Sequence, residues 1–357
     1  MAPVVWCFCA AFGALGWRPG TSNIRPNPPR SGHLATSDSN GRVHLFGGYA
    51  EIGAGGAVKR DPVSDSWTWT EEGGWMRRDE GTAEGGARPQ PRLASAGGIL
   101  GDELLVFGGW DPRPAGTGGV IVADVWAQCL ETGKWSRLEA DMPRGPTSRH
   151  VACVVGNTLV VHTFRCADAV LVWDATKRRL MEQPTSGTSP SSRGLHTAAA
   201  LDGSRMVVFG GADKSGAMCA DAFVLDTSTW HWTRLDPGTG PTARAGSCAA
   251  QVAEGQILIF GGAERAPSGQ GLVARGDAWL LDVKPGAHAS KWNLVVGDDA
   301  AEEGGVQRDA PLPRNAASLT RVRSGGADLA DAKDMLVLHG GWNPFVQTYD
   351  DTWVMHI

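Results

Sequence analysis

The stretch LLVFGGW at 104–110 ends an apolar run on two adjacent glycines, residues poorly suited to the interior of a strand. The same ending recurs as LFGG at 45–48, VFGG at 208–211, IFGG at 259–262 and LHGG at 338–341. The pairs are Gly47 and Gly48, Gly108 and Gly109, Gly210 and Gly211, Gly261 and Gly262, and Gly340 and Gly341. Glycine tolerates positive φ and lets one backbone pass close to another. An aspartate follows each pair, then one residue, then a large apolar one: Asp65 with Trp67, Asp124 with Trp126, Asp221 with Phe223, Asp277 with Trp279 and Asp351 with Trp353. Farther on stands a tryptophan, at Trp75, Trp135, Trp232 and Trp292. An arginine precedes each glycine pair, at Arg30, Arg92, Arg193, Arg244 and Arg314, and two of these lead Arg-x-x-His with His33 and His196. Such self-similarity marks a repeat architecture, in which each unit buries its apolar faces only against its neighbours.

A sixth, eroded unit lies between the second and third. Arg149 and His150 are read as opening it, LVVHTF at 159–164 replaces the glycine pair, and Asp168 with Val170 supplies the aspartate step. Its closing tryptophan is missing, and RRL at 178–180 lies near that place. Most steps between glycine positions are about 47 to 61 residues, and the last is about 79.

Short Val/Leu/Phe/Trp runs bounded by Gly, Pro, Asp and Ser predict strands and turns, and no extended helical stripe competes. The net charge of −5 and pI of 6.0 argue against a nucleic-acid binder, since the densest basic cluster is only Lys177, Arg178 and Arg179. The seven cysteines lack C-x-x-C spacing; Cys129, Cys153, Cys219 and Cys248 read as small buried hydrophobes in a reducing compartment, and the C-x-C of Cys7 and Cys9 is weak evidence for a metal. The chain has no H-E-x-x-H, no phosphate-binding G-x-x-x-x-G-K-[ST] and no G-x-S-x-G elbow. The glycine-rich 53–56 reads as a loop, and no cofactor is expected.

The order of arginine, apolar strand, glycine pair, variable loop, Asp-x-Trp and closing tryptophan resembles the kelch repeat of the galactose-oxidase central-domain-like superfamily. The resemblance covers nearly the whole chain and implies an all-β fold: a six-bladed β-propeller whose ring is closed by an N-terminal strand completing the last blade. It implies one domain over 1–357, with the closing strand and lead-in loop in 1–29 and blades near 30–78, 91–138, 149–180, 193–235, 244–295 and 314–357. Either Trp6 or Trp17 can close the ring; Trp17 has the better spacing, and VVWCFC around Trp6 is the better strand. The apolar 1–16 is read as strand, because no Lys or Arg precedes it as in a signal peptide. That reading places the chain in the cytoplasm, with secretion the alternative, and expects no membrane span.

Some relatives implied by this resemblance are enzymes. Galactose-oxidase-like copper chemistry needs two tyrosines with two histidines, and the chain has only Tyr49 and Tyr349, with no neighbouring histidine pair. The Glu-x-x-x-Asp-x-x-x-His iron pattern of plant specifier proteins is absent. A sialic-acid-mutarotase-like enzyme or sugar binder acting at the channel mouth stays open as the alternative.

The leading expectation is a non-enzymatic scaffold that is similar to Rab-effector or ubiquitin-ligase-adaptor kelch proteins. A small GTPase, a cytoskeletal protein or a ubiquitin-ligase component would be its partner, and the propeller would be monomeric. Any F-box, BTB or acyl-CoA-binding function is expected on a separate subunit. A residue repeated in every unit serves the unit: the arginines pair with backbone or with the repeated aspartates, and His33, His150 and His196 bond between strands. Function lies where the units differ, in loops on one face of a rigid scaffold. Aromatic and arginine residues anchor interfaces, which selects Tyr49, Trp110, Arg113, Lys214, Arg265, Arg275, Trp342 and Phe345 as partner-binding candidates. The polar insertions at 297–313 and 323–334 read as mobile surface loops, and the eroded HTFRCAD as drift in a tolerant ring, with a specialised surface as the other reading.

Overall fold

The computed structural model describes residues 16–20, 28–52, 59–78, 87–114, 116, 118–138, 140–284, 290–298, 310–323 and 334–357. Among these there is no α-helix. Alternating apolar residues and tight polar turns give six antiparallel sheets of four strands, the blades of a β-propeller. Blade 1 is Leu34–Ser37, Val43–Phe46, Ser66–Thr70 and Gly74–Arg77. Blade 2 is Ala96–Leu100, Glu103–Asp111, Val120–Cys129 and Trp135–Arg137. Blade 3 is Val151–Val155, Thr158–His162, Ala169–Asp174 and Arg179–Pro184. Blade 4 is Thr197–Ala200, Arg205–Phe209, Ala222–Asp226 and His231–Arg234, and Ser186–Gly187 adds to it in parallel. Blade 5 is Cys248–Ala253, Gln256–Phe260, Ala278–Val283 and Ser290–Val296. Blade 6 is Ser318–Arg323, Asp334–His339, Thr352–His356 and the N-terminal Arg18–Pro19.

The N-terminal strand pairs Arg18 with Val354 and Pro19 with Trp353. Extending this register by one residue sets Trp17 opposite Met355, four residues past Asp351. Trp75, Trp232 and Trp292 stand opposite the same offset, at Trp69, Leu225 and Leu281. Trp17 is therefore the closing tryptophan of blade 6, and only 4% of it is exposed. Trp6 lies outside the described residues.

Two cyclic patterns run around the ring. In the first, the ring just before each glycine pair, or at its equivalent in blade 3, meets a tryptophan of the next blade: Phe46 with Trp135, Phe107 with Trp173, His162 with Trp232, Phe209 with Trp292, Phe260 with Trp17 and His339 with Trp75. Large side chains buried between sheets contribute roughly 1.5–3 kcal/mol each, so these contacts hold the blades together. In the second, six backbone hydrogen bonds encircle one mouth of the central channel. Ala94 donates to Gly32, Arg149 to Ala94, Leu195 to Arg149, Gly246 to Leu195, Ala316 to Gly246, and Gly32 to Ala316. All six residues have positive φ.

The glycine pairs solve a steric problem. A Cβ on Gly108 would lie 2.5 Å from the Thr147 carbonyl oxygen, and one on Gly261 would lie 2.5 Å from that of Arg314, each in the next blade. The second glycine of each pair donates its N–H to that same carbonyl; Gly48 to Arg92 is 2.9 Å.

Blade 3 departs from the expected reading. Arg149 does not take the place of the repeated arginine; Thr147 does, and Arg149 occupies the left-handed ring position two residues later. Asp168 does not turn inward, and its side chain is 77% exposed. The closing tryptophan is replaced from another strand, by Trp173, with Leu180 buried opposite it. The last strand of this blade runs to Pro184, past the expected 180. Most of the two polar insertions, 299–309 and 324–333, lies outside the described residues.

Candidate interaction face

Antiparallel winding places every connection between second and third strands on one face, together with the segments that begin each first strand. Buried ion pairs fix these connections. Arg30 donates to Asp65 at 2.6 and 2.8 Å and to the Gly47 carbonyl at 3.0 Å. Arg92 with Asp124, Arg193 with Asp221, Arg244 with Asp277, and Arg314 with Asp351 repeat this bidentate geometry, each also bonded to the first glycine's carbonyl. The indoles of Trp67, Trp126, Trp279 and Trp353 donate to the same carboxylates. Burial pushes the Asp65 and Asp124 carboxyls up, but the arginine and indole donors outweigh it and hold both below the usual carboxylate range.

Beyond the glycines the blades diverge in height. Hairpins rise from blade 1 (Tyr49–Ile52 with Lys59–Pro62), blade 5 (Ala263–Arg265 with Leu272–Ala274) and blade 6 (Trp342–Asn343 with Gln347–Thr348). In blade 2 the strands themselves extend, pairing Trp110 with Ile121 and Asp111 with Val120. Blade 4 has a tight turn at 213–217, and blade 3 only the short link 163–168.

The structure gathers some of the candidates and separates others. Tyr49 and Trp342 sandwich Arg60, whose guanidinium carbon lies 4.6 and 5.0 Å from the two ring centres. Phe345 packs edge-on to Trp342 at 6.2 Å yet is 88% exposed, beside the exposed Val346. Trp110 lies under Arg149 at 5.0 Å and donates to the Gly118 carbonyl. Lys214 and Arg165 both stack on Phe164, at 5.5 and 5.2 Å. Arg265 donates to the Gly216 carbonyl. Arg113 is spent locally on Asp111 at 2.8 Å. Arg275 is half-buried between Glu264 and Asp298, at 2.5 and 2.6 Å, so its charge is matched inside the blade. Reading the sequence missed Arg60, Arg149 and Leu195, and it preferred drift over a specialised surface for the stretch that holds Phe164 and Arg165. Arg60 and Arg149 owe their places to neighbouring blades, which leaves no local signal; Phe164 sits where the repeat has glycine, and that substitution was the available clue.

Large exposed hydrophobic residues also favour this face. Ile52, Val120, Ile121, Leu195, Leu272, Val273, Phe345 and Val346 stand on it, whereas Met76 and Leu294 lie on outer strands. The central channel, about 630 Å³, is lined mainly by small side chains of the first strands. Its charged groups sit at the ends. Arg149 is at the loop-face mouth; at the other end Asp38 is bound by Arg42 and His44, and Arg321 by Asp334. His33 lies 2.9 Å from Ser318, and His196 lies 3.0 Å from His162, so these rings bridge blades. Among the described residues no three His, Cys, Asp or Glu side chains are placed to hold a metal, and no helix is long and apolar enough to cross a membrane.

Comparison with known proteins agrees with this geometry. The family model described as the KLHDC2/KLHL20/DRC7 kelch-repeats domain matches residues 163–357. This chain belongs to the kelch-repeat family. Among its relatives, the F-box/kelch-repeat protein At1g51550 of Arabidopsis thaliana is 24% identical over 306 residues, covering 78% of this chain and 57% of that protein. Adagio-like protein 3 of Oryza sativa subsp. japonica is 28% identical over 305 residues, 79% of this chain and 44% of that one. This kelch chain thus spans about half the length of these relatives. The solved structure titled "Structure of YjhT" superposes with a TM-score of 0.63 at 16% identity, covering 93% of this chain and 96% of that one, a likeness of fold.

Proposed function

We propose that this kelch chain is a non-catalytic interaction module that holds a partner protein on its loop face. The observation that carries this reading is the concentration of exposed apolar side chains and ring-stacked arginines on that one face. Aromatic and arginine anchors in this setting are the usual energetic centres of an interface. Among the described residues the charged group at the loop-face mouth of the channel is Arg149, which weighs against chemistry there. The F-box named in one relative makes a ubiquitin-ligase component the first partner class to try, ahead of a small GTPase or a cytoskeletal protein.

The test is affinity capture from extract with the intact chain and a Trp110→Ala/Trp342→Ala variant of equal melting temperature. The reading expects a near-stoichiometric protein that the variant loses. A partner retained by the variant, or none in repeated captures, would overturn it.

A further inference from the structure

The loop face is low and basic over blades 3 and 4. Link 163–168 and turn 213–217 are flanked by the taller projections of blades 2 and 5, which leaves a depression. Four cations border it: Arg149, Arg165, Lys214 and Arg265, all exposed. Each is steadied by a ring or a carbonyl. Arg149 lies on Trp110, Arg165 and Lys214 on Phe164, and Arg265 on Gly216. Among the described residues none of the four forms an ion pair. The acids nearby are already engaged. Asp111 binds Arg113, Asp168 and Glu182 share Arg144, Glu264 and Asp298 share Arg275, and Asp213 accepts the N–H groups of Ser215 and Ala217. On a chain of net charge −5, these four cations therefore stand exposed on one face without a carboxylate partner among the described residues.

The floor of this depression is apolar. Leu195 belongs to the hydrogen-bonded ring at the channel mouth, with φ of +56° and 39% of its surface exposed. A branched side chain held in the left-handed region is strained. The other ring positions carry Gly, Ala or Arg149. Phe164, half-buried, adds an aromatic ring from blade 3 beneath Arg165 and Lys214.

We infer that this depression receives an acidic, extended segment of the partner, its carboxylates on Arg149, Arg165, Lys214 and Arg265 and an apolar residue over Leu195 and Phe164. The inference rests on the loop-face reading and specifies the partner's chemistry. Charge complementarity sets orientation and on-rate, and the apolar floor sets residence time.

The test uses fluorescence anisotropy with three labelled probes: a twelve-residue peptide alternating Glu and Leu, its Gln counterpart, and a uridine oligonucleotide of equal charge. The Glu peptide is expected to bind about tenfold or more tighter than the Gln peptide, and to weaken as salt rises. An Arg165→Gln/Lys214→Met variant should lose about tenfold in affinity for it, and Met76→Ala, on an outer strand away from this face, should change nothing. Equal binding of the Gln peptide, equal or tighter binding of the oligonucleotide, no binding of any probe, or no effect of the double variant would each overturn the inference. The two readings separate in competition. A captured partner that depends on Trp110 and Trp342 but is not displaced by the Glu peptide sinks the acidic-segment inference alone. Failure of capture sinks the loop-face reading.

Discussion

Blade 5 closes its base with Arg244, 2% exposed and clamped to Asp277, while blade 3 has Thr147 in that place and carries its Arg144–Asp168 pair outside. Both blades fold to the same four strands. Blade 3 manages without the clamp because other groups cover its neighbours. Trp173 meets Phe107, His162 bonds to His196, and the hydroxyl of Ser192 reaches the Phe164 carbonyl. The difference teaches where this ring can vary. A unit freed of the internal arginine and the glycine pair can place Phe164 on the loop face, where other blades have glycine.

The largest expected effect comes from acid. His33, His150, His162 and His196 are buried, and burial lowers all four, His150 to about 4 and His162 to about 3. They are neutral in the fold and titrate near 6.5 when unfolded, so the unfolded chain binds more protons on acidification. Their contribution is complete above about pH 6.5 and declines below it, by about 1.4 kcal/mol per pH unit for each histidine, until the folded values are passed. Urea unfolding between pH 7.5 and 4.5 checks this. His162→Phe/His196→Ser would give the boundary of blades 3 and 4 the Phe46/Ser95 chemistry of blades 1 and 2, and should flatten the slope. A stability flat across this window would refute the assignment.

Next in size, Arg244→Ala strands the buried Asp277 and should cost about 3–5 kcal/mol in denaturant unfolding. Gly261→Ala puts a methyl against the Arg314 carbonyl at φ of +66° and should cost at least about 1–3 kcal/mol. In blade 3, Thr163→Ala removes the bond from the Arg165 N–H, and about 1 kcal/mol is expected. Arg144→Ala should leave the unfolding midpoint nearly unmoved, since its pair is on the surface. If Arg144→Ala and Arg244→Ala proved equally damaging, the contrast between the two blades would be wrong.

Much of this was legible in the chain. The glycine pairs, aspartates and arginines recur because each blade needs the same turn and the same clamp, so their spacing announced the fold. Trp17 was only half legible: its spacing before Arg30 favoured it, but the residues around Trp6 read as the better strand, and the pairing with the last strand decides for Trp17. The eroded blade was misread by two residues: Arg149 looked like the repeated arginine because His150 follows it, but the ring hydrogen bonds place Thr147 there. Trp173 was invisible as a replacement because it sits on a different strand from the residue it replaces. Arg275 looked like a surface anchor because nothing local announces Asp298 beside it. Arg60 was missed because its two stacking rings come from opposite ends of the chain, Tyr49 and Trp342. Repetition encodes the scaffold, whereas the binding face arises from contacts between units that the repeat leaves unspecified.

The most direct test of the account is amide hydrogen exchange of the whole chain with and without its captured partner. The account predicts new protection on the loop face, at 110–121, 163–168, 213–217 and 342–348. Protection confined to the opposite turns, at 38–42, 101–102, 156–157, 201–204 and 254–255, would contradict it.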